Sequence, residues 1–247
     1  MTDFDLALKK PFTSFKVLII GILLSILPII RWFAYGFILE CSKIGKNRSD
    51  DIPEWKNWKE LFVKGFLATV IEAIYYLPSF LILLIFGLGL MNFLLKEGIA
   101  TEIFNNFISR ASPESLQLIM QKQIPFIMPY LVKMVPVLII AGILLIIAAY
   151  IVPMAILNYL KNNRFSAAFE KDVFRKAFTG KFFLIRIIAG ILTLIVASIL
   201  AYVPIIGYAI SFFIMGVFSY TLFGQAYLEL EAPKEIKKEK RIKKLKR

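Results

Sequence analysis

From Ile187 to Leu228 the chain runs for 42 residues without one Asp, Glu, Lys or Arg, and no water-soluble fold buries an uncharged run of that length. At about 1.5 Å per helical residue the run exceeds the roughly 30 Å hydrocarbon core about twofold, so it must cross twice. Three further stretches have the same character: 17–39 with only Arg31, 65–95 with only Glu72, and 134–160 with no charge. Each can make one crossing or a short hairpin, which sets five spans as the minimum. The chain is 59% hydrophobic with a mean hydropathy of +0.73, so a soluble globule would leave apolar surface exposed and the bilayer is the expected solvent.

Three segments read alike. Each has an approach rich in Lys and Phe (Lys10 to Thr13, Lys59 to Phe66, Lys171 to Thr179), then an apolar run, then a proline (Pro28, Pro78, Pro204). The first and last of these prolines are followed by Ile-Ile. Duplicated helical units are the direct reading, and proline at matching places predicts broken or kinked helices. The expected fold is an all-α integral membrane bundle of five to six transmembrane or re-entrant helices with proline breaks, in pseudo-repeats. Gly-x-x-x-Gly is missing, so close helix contact is expected from small pairs such as Ala148-Ala149 and Ala197-Ser198.

The net charge of +13 is clustered: Lys9, Lys10 and Lys16; Lys43 to Lys64; Lys161 to Lys181; and the tail 233–247, with nine Lys or Arg against two Glu. The segment 96–130 has only Lys96, Arg110 and Lys122. By the positive-inside rule the dense clusters are cytoplasmic and 96–130 external, in a multi-pass protein of the cell membrane with a cytoplasmic C-terminus. The parity then makes the fourth apolar block a hairpin and the first one too. The arms of the first, Val17 to Leu27 and Ile29 to Leu39, are each only about 16 Å long, which suggests a re-entrant pair extended by its flanks; the alternative is one kinked span. Residues 1–16 lack the pattern of a cleavable signal peptide. The domain reading is a helical membrane domain over 1–232, with an external amphipathic lid at about 97–125, and a basic cytoplasmic tail over 233–247. In the lid Ser112 can cap a helix that has Pro113 at its first position. Pro233 is expected to break the last helix, and the tail beyond it fits anionic lipid as partner; because it flanks membrane spans, nucleic acid is an unlikely one.

Chemistry is sparse. With one cysteine and no histidine, disulfides, imidazole catalysis and the usual zinc sites are excluded, and no catalytic, cofactor-binding or metal-ligating set is expected. Gly87-Leu88-Gly89 starts like a dinucleotide turn but lies within an apolar helix and lacks the third glycine. Asn47-Arg48-Ser49 fits a glycosylation sequon on the wrong side of the membrane, and Asp50-Asp51 reads as a solvated turn. Two charges remain inside apolar blocks, Glu72 and Arg31. A carboxylate or guanidinium at membrane depth is costly unless paired, so these two form the candidate intramembrane polar site, and pairing between them would explain both. Trp55 and Trp58 are expected as interfacial anchors on a helix over 54–64.

The run Ile52 to Gly65 with its Pro53-x-Trp55-x-x-Trp58 element, together with Tyr75-Tyr76-Leu77-Pro78, Arg164 to Phe169, Val203 to Gly207 and Phe223 to Tyr227, resembles an uncharacterised archaeal and bacterial membrane family, domain of unknown function four-zero-one-three. The resemblance implies an integral membrane protein of five or six spans and brings no activity with it. The functional expectation is a non-enzymatic multi-pass membrane protein that moves a small solute or lipid or serves as a membrane-embedded partner for other membrane proteins. The alternative is a lipid-modifying enzyme or its membrane subunit.

Overall fold

The computed structural model describes residues 2–44, 52–108 and 113–245, and these form helices and turns with no strand among them. The helices are α1 (Phe4–Lys9), α2 (Phe15–Ile26), α3 (Arg31–Glu40), α4 (Trp58–Lys96), α5 (Ile99–Ile108), α6 (Pro113–Asn162), α7 (Lys171–Ala177), α8 (Gly180–Leu200) and α9 (Ile206–Leu245), with 3-10 turns at Lys10–Phe12 and Phe165–Phe169. Their ends follow local chemistry. The Asp3 carboxylate accepts from the Leu6 N–H at 3.0 Å, and the Ser14 hydroxyl accepts from the Val17 N–H at 3.4 Å, so each satisfies an orphan donor of the helix it starts. Gly98 (φ 71°) follows α4 and Asn163 (φ 50°) follows α6, left-handed stops that Gly and Asn tolerate best.

Among the described residues four helices are long and apolar enough to cross a bilayer: α4, Ile124–Asn162 within α6, α8, and Ile206–Glu231 within α9. The expected minimum was five. The difference arises in the first apolar block, which folds as two short helices, α2 of 12 residues and α3 of 10, joined through Pro28. Proline has two outcomes here. At Pro28 and Pro204 the helix ends and turns back, whereas α4 continues through Pro78, and α6 through Pro125, Pro129, Pro136 and Pro153. The last helix likewise runs through Pro233 to Leu245 instead of breaking there. A long apolar helix loses one backbone bond at each proline without ending, because neighbouring turns still hold it.

The chain divides into two compact units, 1–73 with 150–247, and 74–149. In the first, α9 is the centre and α1, α2, α3 and α8 pack on it. Its apolar stretch is 56% buried, against 6% for that of α4, so α9 is a core helix. Contacts close to the backbone come from lone glycines. A methyl group on Gly36 would strike the Leu61 carbonyl, one on Gly65 the Trp32 carbonyl, and one on Gly224 the Ser42 carbonyl. Bare backbone at these points lets α3 cross α4 and lets the end of α3 approach α9, a use of glycine that spacing motifs do not reveal. The end of α3 is closed by side chains: the buried Lys10 Nζ donates to the Cys41 carbonyl at 3.2 Å, and the Thr221 hydroxyl donates to the same oxygen at 3.4 Å.

In the second unit the α4 and α6 segments run antiparallel, joined by the Ser79 hydroxyl donating to the Ala141 carbonyl at 2.7 Å and by Phe93 stacked on Tyr130 at 4.7 Å. Large apolar side chains stay exposed on both, among them Ile85, Leu88, Ile146 and Ile139, as a lipid-facing surface requires. The helix expected in the lid with Pro113 at its first position is the first part of α6, which begins at Pro113; Ser112 lies outside the described residues.

Candidate functional site

One polar cluster lies among α3, α4 and α9 of the first unit. Arg31 opens α3 and Tyr35 follows one turn later on the same face. On α9, Tyr208, Phe212, Gly216 and Tyr220 recur every four residues and form one stripe. The Tyr35 hydroxyl donates to the Glu72 carboxylate from α4 and lies 2.9 Å from the Tyr220 hydroxyl. Tyr35 and Tyr220 are buried, and Glu72 is partly so. The Arg31 guanidinium turns the other way: it donates to the Tyr208 hydroxyl at 2.6 Å and sits 5.1 Å from the Phe212 ring centre.

Glu72 and Arg31 therefore reach one neighbourhood, within electrostatic range, but make no direct ion pair. Phe212 contacts both sides of the cluster: its ring meets the Tyr35 ring in a T-shaped contact at 6.0 Å and lies under the Arg31 guanidinium at 5.1 Å. One carboxylate oxygen of Glu72 takes the Tyr35 hydroxyl, and the other has no protein partner among the described residues. The tyrosines were not singled out from sequence. Their signal was present in the four-residue spacing from Arg31 to Tyr35 and from Tyr208 through Phe212 to Tyr220, but aromatic residues at helical spacing are common on any packed helix.

A second cluster holds the charged end of the unit. Lys176 of α7 is 5% exposed and sits among Asp172 at 2.9 Å, Glu231 at 2.8 Å, the Tyr227 hydroxyl at 2.8 Å and the Asn158 side-chain Oδ1 at 3.1 Å. Tyr227 donates to that same Asn158 oxygen at 2.7 Å, while the Asn158 amide donates to the Ala167 carbonyl at 2.7 Å. Burial works against the ammonium charge, yet Glu231, Tyr227 and Asp172 outweigh it and hold Lys176 protonated well above the ordinary lysine range. With every neighbour engaged, this cluster ties α6, α7 and α9 together. Nearby, Lys64 bridges Glu40 at 3.0 Å and Glu60 at 2.9 Å, and Lys181 pairs with Glu229.

The two tryptophans stack on each other at 5.6 Å but differ in what else they meet. Helix α4 begins at Trp58, so the expected helix over 54–64 is shortened at its start: Asn57 takes φ 55° and Trp55 lies in the preceding turn. Trp58 is exposed, with its ring edge-on to Phe33 at 5.7 Å. Trp55 stacks on the fully buried Phe37 at 4.1 Å, and its indole N–H has no acceptor among the described residues. Asp50-Asp51 and the Asn47 sequon lie outside the described residues.

The family model described as "Protein of unknown function (DUF4013)" matches residues 19–223. No curated protein and no solved structure matches the chain.

Proposed function

This chain belongs to the DUF4013 family of proteins of unknown function, and from that premise we propose that it is a non-enzymatic multi-pass membrane protein that binds, and moves, a small solute or lipid at the Glu72 centre. The observation behind this reading is the half-satisfied carboxylate: Glu72 is held inside an apolar bundle by one tyrosine hydroxyl, with a nearby cation that does not neutralise it directly. A structural carboxylate at such depth normally draws in a partner for both oxygens, whereas a binding group keeps one available.

The same reading sets the protein in the cell membrane with α2–α3 as a re-entrant pair and α8–α9 as a true hairpin, giving five to six membrane segments in all. Supporting it, Lys176 and Lys181 pair with Glu231 and Glu229 of α9 and Lys10 shares the Cys41 carbonyl with Thr221, while both proline turns lie near Tyr208. From Tyr208 to Glu231 is 23 helical residues, about 34 Å, close to one bilayer core. The basic end is then cytoplasmic and the proline turns face the opposite leaflet. Native mass spectrometry of the protein released from its own membranes tests the binding reading. A small molecule or lipid retained by the wild type and lost from Glu72→Gln, but kept in Glu97→Gln, is the expected result; identical spectra for all three proteins would overturn it.

A further inference from the structure

Resting on that reading of the Glu72 centre, we infer that its ligand is zwitterionic: a molecule that sets an ammonium group against Glu72 and an anionic phosphate or carboxylate against Arg31. Phosphoethanolamine-type lipid headgroups and free amino acids share this chemistry.

The argument starts from the charges. An anion and a cation that merely stabilise each other in a bundle meet in an ion pair, because each otherwise stays partly desolvated without compensation. Here they do not meet. Arg31 spends one donor on Tyr208 and leaves the rest of its planar fork free among the described residues, a geometry suited to phosphate or carboxylate. Glu72 keeps one oxygen open, and the neighbouring Tyr35 ring offers an ammonium group a π face beside that acceptor. The Phe212 ring contacts the Arg31 guanidinium on one side and Tyr35, the hydrogen-bond partner of Glu72, on the other. A ligand with one charge satisfies one pole and leaves the other stranded; a zwitterion a few atoms long satisfies both. Access exists at the Arg31 end, where Tyr208 is 56% exposed beside the turn before α9.

The test uses the full chain in maltoside micelles with dihexanoyl phosphatidylethanolamine, dihexanoyl phosphatidic acid, alanine and ethylamine as probes, read by thermal melting and by titration. The wild type should bind phosphatidylethanolamine or alanine about tenfold or more tighter than the matching single-charge probe. Glu72→Gln should bring phosphatidylethanolamine down to the level of phosphatidic acid, and Arg31→Gln should bring alanine down to the level of ethylamine. Preference for phosphatidylethanolamine alone assigns the site to a lipid headgroup, and preference for alanine alone to a free amino acid. Equal binding of phosphatidic acid and phosphatidylethanolamine by the wild type, or a preference that survives Glu72→Gln, overturns the inference. Should Glu72→Gln fail to fold, the half-exposed Arg31 variant decides by itself. A retained molecule with one charge or none, lost in Glu72→Gln, would uphold binding at Glu72 and end the zwitterion assignment.

Discussion

At the scale of single residues, burial reverses one expectation that topology alone encourages. Positive-inside topology puts Cys41, just past the first apolar block, at the cytoplasmic edge, yet its side chain is fully buried and burial pushes the thiol up to about 12. Maleimide should leave the native protein unlabelled from either side of the membrane and label it once denatured; rapid labelling of intact native protein would contradict this packing. Lys176 offers a stability test. Lys176→Met removes the buried ammonium that the Glu231 and Asp172 carboxylates share, leaving Asp172 its Arg175 partner, and should cost about 3 kcal/mol. Because the folded state raises the ammonium's pKa, its contribution is complete below the ordinary lysine value and is lost only as pH climbs through the raised one. A melting temperature that falls between pH 7 and pH 9 on account of this residue would refute that assignment. Glu72 and Arg31 stood out in the sequence because each is a lone charge in an apolar run. Tyr35, Tyr220 and Phe212 did not, since nothing local distinguishes an aromatic residue that faces a carboxylate from one that faces lipid.

At the scale of elements, the close crossings rest on glycines with no spacing motif. Gly36→Ala and Gly65→Ala each drive a methyl group into a backbone carbonyl of the facing helix, and each should lower stability by about 1–3 kcal/mol or more. Gly190→Ala in α8 meets nothing within 4 Å and should be neutral or gain about 0.5–1 kcal/mol. Equal melting temperatures across the three variants would mean that α3 does not cross α4 at this point. The α8–α9 turn contains the opposite feature. Ile205, a β-branched residue, holds φ 68° while 67% exposed, so little packing is lost on its removal. Ile205→Gly should therefore raise stability by about 1 kcal/mol, measured as a higher melting temperature.

For the whole molecule, the tail is the element to probe. Helix α9 continues through Pro233 to Leu245, which carries seven of the nine basic residues of 233–247 on one extension of a core helix. Each contributes about 1 kcal/mol at most at an anionic leaflet, an attraction that salt screens. A peptide of residues 233–247 should bind anionic vesicles, dissociate as salt rises and ignore neutral vesicles. Binding to RNA at physiological salt with anionic vesicles untouched would redirect the tail to a cytoplasmic partner.

Class and element type were legible in the chain itself, since uncharged runs, helical spacing and capping residues act locally and a bilayer tolerates few alternatives. Lone charges such as Glu72 were legible for the same reason. Proline was only half legible: the same residue turns the chain at Pro28 and Pro204 and is absorbed at Pro78 and Pro153, because neighbouring helices determine whether the freed backbone group has somewhere to go. Tertiary structure alone determined that α9 is the core, that Gly36 and Gly65 set a helix crossing, and that Arg31 turns to Tyr208 and Phe212 while Glu72 takes the Tyr35 hydroxyl. Such facts join residues far apart in sequence, and no local rule encodes which pairs will meet.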